Sequence, residues 1–146
     1  MSTVTSTASQ SGVQPRSIHA GAIHVVAHYV LSGETADTIQ MVKVPDNAVI
    51  HDIVFYLPAT SQAGSGKINY CVGDGDSVNR FISTATASDT AVIARIDTAG
   101  GVGYTYSFSD NASPKADTID VTFLSGTTAT TSQTICLSVI YSVDNV

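Results

Sequence analysis

Oxygen-bearing side chains crowd one short glycine-rich stretch, Gly73-Asp74-Gly75-Asp76-Ser77-Val78-Asn79. Asp74, Asp76 and Asn79 are the candidate calcium ligands of this chain, because hard cations take carboxylate and amide oxygens from closely spaced loop positions. The longer EF-hand loop with its closing Glu is absent. The same residues also suit a tight turn in which Asp side chains accept backbone N–H groups. Four histidines, His19, His24, His28 and His51, could ligate a transition metal. His24 and His28 fall on one face of an extended segment about 13 Å apart, too far to chelate one ion. A zinc site would need His51 or a carboxylate folded beside one of them. The expected role is therefore that of surface or contact histidines. Cys71 and Cys136 lie among apolar residues without a nucleophile motif and read as small core residues or residues under a sheet; a structural disulfide is the alternative. No G-x-S-x-G elbow occurs. No constellation supports an enzyme, and no cofactor is expected.

Sugar binding calls for flat aromatic platforms. The chain has no Trp. Tyr104 and Tyr106 share a face with Phe108, which makes them core candidates first. A carbohydrate-binding or adhesion module stays as the alternative reading.

The elements that would position these residues have a period of two. Ile119, Val121 and Phe123 alternate with Thr118, Asp120 and Thr122. Ile135, Leu137, Val139, Tyr141 and Val143 alternate with Cys136, Ser138 and Ser142, with Ile140 breaking the polar face, and Val102, Tyr104, Tyr106 and Phe108 alternate with Gly103, Thr105 and Ser107. That pattern predicts half-buried strands. Further strands are expected at 22–31, 37–44, 49–57 and 67–72. Residues 22–31 and 49–57 carry large apolar side chains on both faces, as a strand covered on both sides or placed at a subunit contact does. Residues 88–97 could open a helix at Ser88 or Asp89, but the surrounding strands favour a strand there too. Turn residues separate the runs at 32–34, 45–47, 62–66, 73–76, 99–101, 110–114 and 125–128. The expected core is Ile53, Phe55, Tyr104, Tyr106, Ile119, Val121, Phe123, Ile135, Leu137 and Val139. The prediction is an all-β sandwich of about eight strands, jelly-roll-like.

Composition bounds the partners. The chain has 146 residues, enough for one domain with its own core. Only 12% of it is charged, with a net charge of −6. The six basic residues are scattered singly, so a nucleic-acid partner is not expected, since polyanion binding needs clustered cations. No apolar run approaches the roughly 20 residues that span a bilayer, and no membrane partner is expected. Met1 to Gln14 contain no Lys or Arg and no apolar run like that of a secretory signal. Synthesis in a reducing cytosol is expected, where both cysteines would stay thiols. Residues 1–16, MSTVTSTASQSGVQPR, are small and polar. They read as a flexible N-terminal arm that could order as an extended segment on a neighbour; residues 17–146 read as the single sandwich domain.

Three stretches resemble small structural proteins of tailed-bacteriophage virions. Asp37-Thr38-Ile39-Gln40-Met41-Val42-Lys43-Val44-Pro45, continued by Ala48-Val49-Ile50-His51-Asp52-Ile53, is similar to a phrase common in these β-sandwich proteins. Val72-Gly73-Asp74-Gly75-Asp76 with Arg80-Phe81-Ile82 is a second. Asp117-Thr118-Ile119-Asp120-Val121-Thr122-Phe123 with Ile135-Cys136-Leu137-Ser138-Val139-Ile140-Tyr141 is a third. The resemblance covers about residues 20–143 and extends to decoration (cement), head-fibre and minor capsid proteins. It implies a non-enzymatic virion protein made in the host cytoplasm. The type it favours is a decoration protein that binds and stabilises the outside of a phage head. The implied partners are the major capsid protein and further copies of this chain, as a homotrimer with residues 22–31 or 49–57 near the contact.

Overall fold

A computed structural model describes residues 21–31, 37–59, 68–87, 90–108, 116–124 and 133–143. The expected arm (1–16), His19, Ser88, Asp89 and the turns at 32–34, 62–66, 110–114 and 125–128 lie outside the described residues. Eight strands run in chain order: β1 (Ile23–Val30), β2 (Thr38–Pro45), β3 (Ala48–Leu57), β4 (Ile68–Gly73), β5 (Ile82–Ala87), β6 (Val92–Arg95), β7 (Ala116–Phe123) and β8 (Thr134–Val143). They form two antiparallel four-stranded sheets, ordered β1-β8-β3-β6 (sheet A) and β2-β7-β4-β5 (sheet B). In space β1 pairs with β8, β2 with β7, β3 with β6 and β4 with β5. These nested pairs are those of one long hairpin, tipped at β4–β5, rolled into a double-sheet jelly roll.

Alternation sets the core. Ile53, Phe55 and Leu57 of β3 and Ile135, Leu137 and Val139 of β8 face Ile68, Tyr70 and Val72 of β4 and Ile119, Val121 and Phe123 of β7, all buried. The Phe55 and Tyr70 rings meet 5.0 Å apart across the two sheets. Every expected core residue is buried except Tyr104, which is half-buried. The turn from β2 to β3 is tight. Asn47 takes a left-handed φ of 61°, and Asp46 Oδ1 accepts the amides of Asn47 at 3.1 Å and Phe108 at 2.9 Å.

Two strand expectations need correction. Residues 102–108 are not a sheet strand. After a turn with Gly103 at φ +78°, the segment follows the start of β3 through one bridge, Val49 to Thr105, and the pairs Tyr106 N–Ala48 O and Ile50 N–Tyr104 O. β6 occupies only the second half of that edge of β3, from Val54 to Leu57, so this aromatic segment covers the first half. Residues 82–87, ISTATA, do form a strand. Past Ile82 its inward side chains are Ala85 and Ala87, too small to give a hydrophobic period. The ambiguous 88–97 segment supplies strand β6.

Candidate interaction surface

The acidic loop after β4 is occupied by the protein itself. Asp74 is buried. Its Oδ1 accepts the amides of Asp76 at 3.2 Å and Ser77 at 2.9 Å. Its Oδ2 accepts Arg80 Nε at 2.5 Å and the Tyr106 hydroxyl at 3.1 Å. Asp76 is exposed, and Asn79 Oδ1 accepts the Ser77 hydroxyl at 3.3 Å. This is the capping turn, with the carboxylate used as an internal tie. Arg80 lies 4.1 Å over the Tyr104 ring. Tyr104 and Tyr106 meet edge-on at 5.0 Å, and Tyr106 stacks on Phe108 at 6.1 Å. The knot joins the β4–β5 loop to residues 104–108 at one end of the sandwich. Burial, then the Asp74 carboxylate, push the Tyr106 hydroxyl far above its ordinary range. Tyr104 and Tyr106, read from the sequence as core candidates, take part in this knot.

Asp120 is the feature that periodicity misplaces. Alternation puts it on the polar outer face with Thr118 and Thr122, yet it is only 5% exposed. Across the sheet it faces Gly73, which has no side chain, and Gln40. The β4–β5 loop folds over Gly73 so closely that a Cβ there would meet Ser77 O and the Val78 backbone. Asp120 Oδ1 has no hydrogen-bond partner. Burial raises its pKa to about 6, with added repulsion from Asp117 and Asp74, against a lowering bond from Thr118.

The histidines and cysteines do not converge. Among the described residues no group of three His, Cys, Asp or Glu could hold a metal ion. Cys71 is buried in sheet B and Cys136 half-buried in sheet A, and both are free thiols. Burial pushes the Cys71 thiol upward. His24, His28 and His51 are all exposed and belong to sheet A. His24 Nε2 lies 2.7 Å from Ser138 Oγ, and His51 Nε2 lies 2.8 Å from Ser142 Oγ.

What sheet A presents outward is a broad, nearly uncharged surface. Register aligns Val26, Ser138, Val54 and Arg95 in one row and His28, Cys136, Tyr56 and Ile93 in the next. Val26 is 47% exposed, Val30 59%, Tyr56 39% and Ile93 70%. A bulge between Ile50 and Asp52 turns both His51 and Asp52 outward. Asp52 and Arg95 are the charged residues of this face among those described, and they pair with each other at 3.1 Å. The remaining described charges lie on sheet B or in the connecting loops. Exposed apolar side chains interspersed with Ser, Cys and His, on a face whose two charged residues pair with each other, suit a contact surface. The sequence signal for it was the large apolar content on both faces of 22–31 and 49–57.

No family model and no curated protein matches the chain. Solved structures do. A chain of the cyanophage Pam1 capsid asymmetric unit aligns with a TM-score of 0.69 at 16% identity, covering 98% of this chain and 99% of that one. A chain of the Ralstonia phage GP4 capsid aligns with a TM-score of 0.68 at 13% identity over 84% of each chain. A chain of the capsid of Helicobacter pylori bacteriophage KHP30 aligns with a TM-score of 0.57 at 12% identity, covering 87% and 91%. At these identities the likeness is one of fold, and it extends over the full jelly roll.

Proposed function

We propose that the protein is a non-enzymatic structural component of a phage particle, a decoration or cement protein that binds the outside of the head. The observation that carries this is the outer face of sheet A, with exposed apolar side chains and its two charges paired, on a jelly roll shared with chains of three phage capsids. The partners are the major capsid protein and other copies of the chain, which associate as a homotrimer. Strands β1 and β3, two of the four strands of that sheet, lie near the contact. The protein is made in the host cytoplasm and resides on the capsid surface. A low content of Lys and Glu suits this role, because few long side chains lose freedom on binding. A carbohydrate-binding module is less favoured, since Tyr106 is buried and tied to Asp74.

The test is titration of the purified protein onto undecorated phage heads. Saturable binding that raises the temperature of DNA release is the expected result. Failure to bind any head, together with binding to glycan arrays, would overturn the assignment.

A further inference from the structure

The β4–β5 loop lies over a carboxylate on the outer face of sheet B. Gly73 pairs directly with Asp120, and directly paired residues point their side chains to the same face. A Cβ at Gly73 would meet Ser77 O and the Val78 backbone, so the tip of the loop sits on the face into which Asp120 points. Beneath it Asp120 is only 5% exposed, and its Oδ1 has no hydrogen-bond partner. A bond from Thr118 offsets part of the cost of that burial. The charges around it do not. β4 brings the buried Asp74, β7 brings Asp117, and the tip brings the exposed Asp76. Asp117 Oδ1 lies beside the tip, within contact range of a Cβ at Gly75. Gln40, opposite Asp120 on β2, is neutral. Of the described cations at this end, Arg80 is bound to Asp74, and Lys43 is exposed and opposite Thr118. From residues 104–108 the Tyr106 hydroxyl is likewise bound to Asp74.

We infer that the tip of this loop, residues 75–79, is a pH-sensitive flap, closed over Asp120 while that carboxyl is protonated and lifting far more often once it is ionised. Closed, the tip keeps water from a charge whose one oxygen has no donor; lifted, it lets water in. The ties of the loop fall into two sets that make such a motion local. Asp74 Oδ2 accepts Arg80 Nε and the Tyr106 hydroxyl and fixes the base of the loop. The tip is held by the Asp76 and Ser77 amides on Asp74 Oδ1 and by the Asp74 amide on Ser77 O. Those three bonds can pass to water while the base stays tied. The sign follows from proton affinity. Burial, then Asp117 and Asp74, hold the Asp120 pKa at about 6 under the closed tip, and a carboxyl opened to water returns to about 4. The closed flap therefore binds the proton more tightly. Opening rises as pH climbs from about 4 to 6 and levels off above, about 50-fold more frequent at pH 7 than at pH 4.

The inference stands apart from binding to heads, so its test uses the purified full chain alone. Amide hydrogen exchange is measured at pH 4 and pH 7, corrected for the intrinsic pH dependence of exchange, in wild type and in Asp120→Asn. Protection of the Asp74, Asp76 and Ser77 amides in wild type should fall about 50-fold from pH 4 to pH 7. In the variant the same amides should change less than about five-fold. The core amides of β3 and β8 should remain better protected than the tip at both pH values. Wild-type tip protection that is flat with pH overturns the inference. An equal fall in the variant does so too, since the titrating group is then another one. Tip amides that exchange no faster than those of β8 mean that the loop opens only when the whole domain unfolds, and tip amides unprotected already at pH 4 mean that it is never closed; either result also overturns it.

Discussion

Replacing Asp120 by Asn should stabilise the protein at neutral pH and flatten its stability over the mildly acidic range. Asp120 is 5% exposed, one carboxylate oxygen lacks a partner, and Asp117 and Asp74 add like charge. Its pKa stands at about 6 in the folded chain, against about 4 for an Asp in an unfolded chain. The folded state therefore binds this proton more tightly. The contribution is fully present below about pH 4 and is lost as pH rises through 6. Two pKa units correspond to about 2–3 kcal/mol. Asn keeps the shape and an oxygen for the Thr118 hydroxyl while removing the charge. Denaturant unfolding of both proteins at pH 4.5 and pH 8 is the assay. The variant should exceed wild type at pH 8 by about 2 kcal/mol, with a much smaller difference at pH 4.5. Parallel pH–stability curves for the two proteins would refute the reasoning.

Phe123→Ala removes a fully buried ring between the sheets and should cost about 3–5 kcal/mol in denaturant unfolding. Tyr106→Phe deletes one of four donors to the buried Asp74 carboxylate and should cost about 1–3 kcal/mol, measured the same way. Maleimide should label Cys136 well before Cys71, whose buried thiol is held protonated; mass spectrometry of partly labelled protein reads the order. Ile93→Asp, at a side chain 70% exposed on sheet A, should weaken association or head binding while the melting temperature moves little.

Legibility followed the size of the side chains. Where large apolar residues alternate, as in Ile119-Asp120-Val121-Thr122-Phe123 and along Ile135 to Val143, strand and buried face could both be read from the chain. β5 escaped because Ala85 and Ala87 bury too little to mark a period. Residues 102–108 misled because an aromatic every second position also suits a segment lying along half of a sheet edge. The Asp74 turn was readable from its Gly and Asp content, but its ties to Arg80 and Tyr106 join residues 6 and 32 positions away. Asp120 was unreadable. Its burial depends on a loop from another strand folding over a glycine that faces it, a long-range arrangement that no local pattern encodes.

The nested pairing explains which strands fall at the sheet edges. Rolling a ribbon whose halves pair β1 with β8 and β2 with β7 puts the first two strands at sheet edges. On β2 the sequence places Lys43, Pro45 and a bulge, which blunt an edge. On β1, the other strand of the same pair of edges, it places Ile23-His24-Val25-Val26-Ala27-His28-Tyr29-Val30 in unbroken register. The outer face of sheet A, whose two charged residues pair with each other, begins on that same strand with Val26 and Val30 and runs across to Ile93. That face carries no net formal charge on an acidic protein, so apolar burial can act there with little like-charge repulsion.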